Sequence, residues 1–342
     1  MSKTTHILII YTGGTIGMVK DYKTNALKAF DFDNLKKNIP ELNLINCKID
    51  TISFDKPLDS SNIHPNDWVK IATIIEENYT IFDGFVVLHG SDTMSYTASA
   101  ISFIFDNLCK PIIFTGSQLP IGDLRTDAKE NLITSIQIAS SQINGKPIIS
   151  EVCLYFEYKL YRANRTTKIN SELFEAFTSP NYPALAESGV HLKFKHDLLL
   201  KKENIDNLIV NKNLNNNIAI IKIFPGITES IIKSILNTKG LKGIILETYG
   251  SGNAPTSEWF LTLLKKAISK GIHIVDVTQC IGGSVILGQY ETSVKLQEIG
   301  LINGFDITTE SAVAKMMYLL GLNLSDEEFR ELFMKSLRGE LN

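Results

Sequence analysis

The chain has 342 residues, and 34 lysines and arginines against 37 aspartates and glutamates leave a formal net charge of −3. That balance gives no pull toward a phosphate backbone or an anionic membrane, so a small-molecule ligand is expected, with no nucleic acid and no membrane partner. The length exceeds what one core usually fills, and 44% hydrophobic with 21% charged residues is ordinary globular composition, which excludes a disordered or fibrous chain.

Cys47, Cys109, Cys153 and Cys280 are widely scattered, without a CxxC pair or a neighbouring histidine cluster. The spacing supports neither a zinc site nor a disulfide framework and suits a reducing compartment. Residues 7–11 form an apolar run too short for a secretory signal, and no stretch reaches transmembrane length, so a cytoplasmic location is expected.

In chain order, the run Ile7-Leu8-Ile9-Ile10 reads as a buried strand. Thr12-Gly13-Gly14-Thr15-Ile16-Gly17 follows it directly. Two glycines allow a tight turn with exposed amides, and the hydroxyl beyond them suits a nucleophile beside an oxyanion site. On this segment alone, a turn capped by Thr12 or Thr15 is the simpler account. The segment lacks the GK[ST] ending of a phosphate loop. Asp59-Ser60-Ser61-Asn62 reads either as a helix-entry loop or as a grip for an ammonium and a carboxylate, ahead of a helical pattern over residues 66–77.

A second strand over residues 85–88 leads into His89-Gly90-Ser91-Asp92-Thr93-Met94 and a helical pattern containing Ala98, Ile101 and Phe105. Helix capping and a functional pair, Asp92 for an ammonium and Ser91 for a proton, account for this segment equally well. His89, without a metal partner, reads as structural. A strand over 112–114 is followed by a helical pattern over 126–143 that sets Leu132, Ile133, Ile136 and Ile143 on one side. In Tyr161-Arg162-Ala163-Asn164-Arg165-Thr166-Thr167-Lys168, the arginines read as a solvated basic face. Lys168 becomes a proton acceptor if it lies near Ser91 and Asp92, provided that burial and neighbours depress a pKa ordinarily about 10.4.

Residues 195–217, rich in lysine, asparagine and leucine, read as a connection between domains. Strands are expected again at 218–223, 243–246 and 272–275. Val313, Met316, Met317 and Leu320 have the spacing of a helix facing the core. Strands alternating with helices predict an α/β fold with a mostly parallel sheet covered on both faces.

With Thr115-Gly116-Ser117-Gln118-Leu119-Pro120, Tyr249-Gly250-Ser251-Gly252-Asn253-Ala254-Pro255 and Thr278-Gln279-Cys280, these segments make the chain resemble the bacterial-type asparaginase/glutaminase family, in its type I, cytoplasmic branch. The resemblance runs over essentially the whole length. It implies a larger N-terminal catalytic domain with a flavodoxin-like, mostly parallel sheet (1–195), a linker (196–216) and a smaller C-terminal α/β domain (217–342), assembled as a homodimer or homotetramer. It further implies hydrolysis of L-asparagine to L-aspartate and ammonia through an acyl-enzyme on Thr15, with no metal or organic cofactor. Ser91, Asp92 and Lys168 match the second catalytic group. Asp59 and Ser60, with Ser61 beside them, match the positions that hold the substrate's charged ends. The family pattern usually has threonine where this chain has Ser91, so the hydroxyl is kept but its rotamer is less restricted. The mobile-loop tyrosine of the family is assigned to Tyr22, with Tyr290 as the alternative. A second, regulatory asparagine site around Glu247 and Cys280 is left open. Two alternatives accompany this reading: a non-catalytic amino-acid sensor, and the amidase subunit of a tRNA-dependent amidotransferase. The latter carries a domain before TGGT, for which Thr15 lies very near the start.

Overall fold

Every residue of the run at 7–10 is buried, because its strand lies inside a sheet covered on both sides. In the computed structural model, which describes residues 4–20, 27–29, 39–201, 207–289 and 291–342, the chain divides into two compact units, 1–212 and 213–342.

The first unit carries strands β1 (Thr5–Gly13), β2 (Cys47–Leu58), β3 (Gly84–Leu88), β4 (Ile112–Thr115), β5 (Val152–Phe156), β6 (Lys159–Arg162), β7 (Ala186–Ser188) and β8 (Leu192–Phe194). They form one sheet in the order β8-β7-β6-β5-β4-β3-β1-β2. The five strands β2-β1-β3-β4-β5 are mutually parallel, and β6 to β8 continue antiparallel. The parallel order 2-1-3-4-5 is the flavodoxin-like one, and it reverses direction between β1 and β3. Alternation along the strands sends Ile7, Ile9, Tyr11, Val86 and Leu88 into one core with Leu132 and Ile136 of the helix Ala128–Ser140.

Among the described residues, this unit has the helices α1 (Pro65–Asn78), α2 (Met94–Ile104) and α3 (Ala128–Ser140). A capping box between His64 and Asp67, with Pro65 in the first turn, starts α1. Phe105, expected within α2, instead begins the short strand Phe105–Asp106, which pairs with Ile209–Val210. Ile143, expected on the packed side of α3, is 49% exposed. The helix ends at Ser140, and Asn144 and Gly145 at φ 53° and 76° turn Ile143 into a hairpin.

The second unit has a four-stranded parallel sheet, β9 (Ile218–Lys222), β10 (Gly243–Thr248), β11 (His273–Thr278) and β12 (Ile302–Asn303), in that order. Its helices are α4 (Glu229–Leu236), α5 (Glu258–Ile268), α6 (Glu291–Glu298), α7 (Thr309–Gly321) and α8 (Asp326–Met334). Val313 and Met316 of α7 are buried, while Met317 and Leu320, expected to join them, are half-buried. Among the described residues, no helix is long and apolar enough to cross a membrane.

Asp276 is fully buried in β11, where Thr248 Oγ1 donates to Oδ1 at 2.6 Å and Oδ2 has no partner among the described residues. Burial pushes its carboxyl up to about 7. The folded state therefore holds this proton more tightly than the unfolded chain, and stability is lost as pH rises from about 4 to about 7. Asp276→Asn should gain on the parent across that window, by a few kcal/mol, and run parallel to it above. Urea midpoints measured from pH 4 to 8 test this; a pH-independent difference would contradict it.

Candidate active site

Ligands of open α/β sheets bind beyond the carboxyl ends of the strands, at the point where strand order reverses. Here that point lies between β1 and β3, and the segments following these two strands are TGGT and HGSD. They touch through their glycines. A Cβ on Gly14, which has φ 83°, would sit 2.5 Å from both Cα and N of Gly90. A Cβ on Gly90 would sit 2.5 Å from Ser60 Oγ. Side chains at either position would force the loops apart, so glycine here is a requirement of close approach. Thr15 and Ser91, each the residue after a touching glycine, are thereby brought together with Ser60.

Thr15 opens the 3₁₀ turn Thr15–Gly17 and is half-buried. The turn has no side-chain cap, and Thr12 Oγ1 instead donates to Leu88 O at 3.0 Å, so the capped-turn account of this segment does not hold. Nor do Ser91, Asp92 and Thr93 act as caps: Gly90 and Thr93 precede the two helical turns without side-chain capping bonds. Thr93 Oγ1 donates to Ser60 O at 2.7 Å, tying the HGSD loop to the DSSN loop.

Lys168 comes from a separate element. The short strand Thr167–Lys168 pairs antiparallel with Phe177–Thr178, and Phe177 packs on Phe156 with ring centroids 5.0 Å apart. A buried contact of 2.9 Å between Thr166 Oγ1 and Ser95 Oγ fastens this segment to α2, one turn beyond Ser91. Lys168 Nζ consequently donates to Ser91 Oγ at 2.8 Å and to Asp92 Oδ1 at 2.6 Å. The lysine side chain is 17% exposed and the aspartate 64%. Asp92 Oδ2 has no partner among the described residues.

Asp59 is exposed and accepts from Ser61 N at 2.9 Å and Ser61 Oγ at 2.8 Å. These two donors hold its carboxyl below the usual aspartate range. Ser60 is buried, whereas Ser61 is exposed. His89 is fully buried, with Nδ1 at 2.6 Å from Gly90 O and its ring edge-on to Phe114. Burial pushes this imidazole down to about 4, which leaves it neutral and donating to Gly90 O as a packing residue. Tyr22 and Tyr290 both lie outside the described residues.

The expected basic face requires correction. Arg162 and Arg165 do not form a solvated face; they are 3% and 1% exposed. Arg162 Nε pairs with Glu151 Oε2 at 2.6 Å, and both guanidinium groups lie over the Tyr182 ring, at 4.4 and 5.2 Å from its centroid. A partnered, ring-stacked guanidinium can be buried where an isolated one cannot, and local sequence does not reveal partners supplied from elsewhere.

Gln118 also borders this group of residues. Its Oε1 lies 3.5 Å from Ser91 Oγ. The sequence signals this position, since Thr115-Gly116-Ser117-Gln118 follows β4 as the other polar loops follow β1 and β3.

Sheet order and loop placement define a flavodoxin-like α/β protein with these polar loops gathered at the switch point. Two family models cover the chain: Asparaginase, N-terminal, over residues 6–200, and Glutaminase/Asparaginase C-terminal domain over residues 217–333. The chain belongs to the asparaginase family. L-asparaginase 1 of Escherichia coli K12 is 40% identical over 336 residues, covering 98% of this chain and 97% of that protein. The 60 kDa lysophospholipase of Mus musculus is 37% identical over 365 residues, covering 100% of this chain and 63% of that protein. The crystal structure of L-asparaginase I from Vibrio cholerae superposes with a TM-score of 0.90 at 39% identity, covering 99% of this chain and 100% of that one.

Proposed function

We propose that the protein is an L-asparaginase that hydrolyses L-asparagine to L-aspartate and ammonia through an acyl-enzyme on Thr15. The observation that carries this reading is Lys168 Nζ meeting Ser91 Oγ and Asp92 Oδ1 beside the Gly14–Gly90 contact. The Thr15 hydroxyl attacks the side-chain amide carbon, and backbone amides stabilise the oxyanion. The proton that Thr15 loses reaches the departing nitrogen, which leaves as ammonia. Water then attacks the acyl carbon, releasing aspartate and returning a proton to the threonine oxygen. Ser91 and Lys168 relay these protons.

Asp59, ionised under its two Ser61 donors, and the second oxygen of Asp92 receive the substrate ammonium, while the Ser60 hydroxyl and amide receive its carboxylate. Simple amides that lack the ammonium are excluded. A tyrosine, Tyr22 or else Tyr290, completes the site, and the enzyme acts in the cytoplasm as a homodimer or homotetramer.

Ammonia release measured with L-asparagine and L-glutamine in parallel tests the reading. One methylene of pocket length separates the two amides, which corresponds to a preference of about 10- to 200-fold. Release favouring asparagine is expected. Saturable asparagine binding without ammonia would replace the enzyme with an amino-acid sensor.

A further inference from the structure

We infer that Gln118 is the positioning residue that holds the Ser91 hydroxyl against Lys168. The inference rests on the functional reading above, in which Ser91 works with Lys168.

Gln118 is fixed at both ends. Its backbone N–H donates to Asp127, at 2.9 Å to Oδ2 and 3.2 Å to Oδ1. Its side-chain Nε2 donates to Leu173 O at 2.9 Å. A carbonyl oxygen only accepts, so the amide nitrogen must face Leu173, and the amide oxygen is thereby turned toward Ser91. There Ser91 Oγ faces Oε1 at 3.5 Å, longer than the usual O–H···O distance of about 2.5–3.0 Å, so the contact is a weak one.

The donor and acceptor roles around Ser91 agree with this orientation. Lys168 Nζ donates to Ser91 Oγ at 2.8 Å. The serine's own proton then needs another acceptor, and Gln118 Oε1 supplies it. With threonine, a second heavy atom on Cβ would restrict χ1 directly. Serine has no such restraint, and its hydroxyl can move among three staggered positions, of which one meets Lys168. Gln118 supplies from outside the restraint that the side chain lacks.

A double-mutant cycle between Gln118 and Ser91 tests this, using ammonia release from L-asparagine by the full-length protein. Turnover by the parent is measured first, so failure of the functional reading is seen separately. Gln118→Ala and the near-isosteric Gln118→Met should lower kcat about three- to tenfold, the worth of one modest hydrogen bond, with KM nearly unchanged. In the Ser91→Thr background the same changes should lower kcat less than twofold, because the β-methyl now holds the rotamer. Equal losses in both backgrounds would overturn the inference and leave Gln118 as a loop anchor at Leu173. Loss of turnover in Ser91→Thr alone would overturn it as well, since the methyl was to reinforce the same rotamer.

Discussion

Thr15→Ala is expected to reduce ammonia release from L-asparagine by at least about 10⁴-fold, the scale on which removal of a nucleophile is felt. The loss should be chemical and not structural. Thr15 is half-buried at the start of a 3₁₀ turn that has no side-chain cap, so alanine leaves backbone and packing in place. The unfolding midpoint should stay within the range of about 0.5 kcal/mol expected for a replacement outside core, cap and network. Thr15→Ser, which keeps the oxygen but frees its rotamer, should retain measurable turnover. Near-normal activity in the alanine variant would remove Thr15 from the mechanism, and the hydroxyls of Thr12 and Ser91 would then have to be examined in its place.

The largest expected loss of stability lies in the second unit. Lys315 and Glu340 form an ion pair whose side chains are both 0% exposed. The ammonium uses all three donors, on Phe333 O at 2.7 Å, Lys335 O at 2.7 Å and Glu340 Oε1. The carboxylate also accepts from the amides of Leu337, at 3.0 and 3.1 Å, and Arg338, at 2.7 Å. Burial pulls the Lys315 ammonium below its usual range, while the facing carboxylate opposes that shift. Lys315→Met should therefore strand a buried carboxylate and two carbonyls, at a cost of about 3–5 kcal/mol. Adding Glu340→Leu removes the stranded charge and should recover part of the loss. Recovery stays incomplete because the Leu337 and Arg338 amides still lack an acceptor. Guanidinium denaturation of parent, single and double variants checks the order. A single variant within about 1 kcal/mol of the parent would show that water reaches the pair in the folded protein.

Much of this was legible in the sequence because the apolar runs at 7–10, 85–88 and 112–114 are buried on both faces, and continuous hydrophobicity is what such strands require. The strand Cys47–Leu58 was missed for the complementary reason. It lies at the sheet edge, its burial alternates with exposed Lys48, Asp50, Ser53 and Asp55, and no uninterrupted run betrays it. Within the site, the segments at the ends of β1 and β3 were marked by their glycines. What remained hidden was partnership. Burial of Arg162 depends on Glu151 and Tyr182, and the environment of Ser91 depends on Gln118; none of these pairings leaves a local pattern in the chain.

The contact between Gly14 and Gly90 also bears on how the protein folds. Thr15, Ser60, Ser91, Gln118 and Lys168 are drawn from segments far apart in the chain, and they meet only where parallel strands are in register. A slip of one residue between β1 and β3 would exchange the two faces of a strand and dissolve the constellation. Parallel pairing of this kind has high contact order and forms late, after long loops have closed. Activity regained during refolding therefore times the last correct strand pairing, and it will trail any signal that reports only collapse or helix formation.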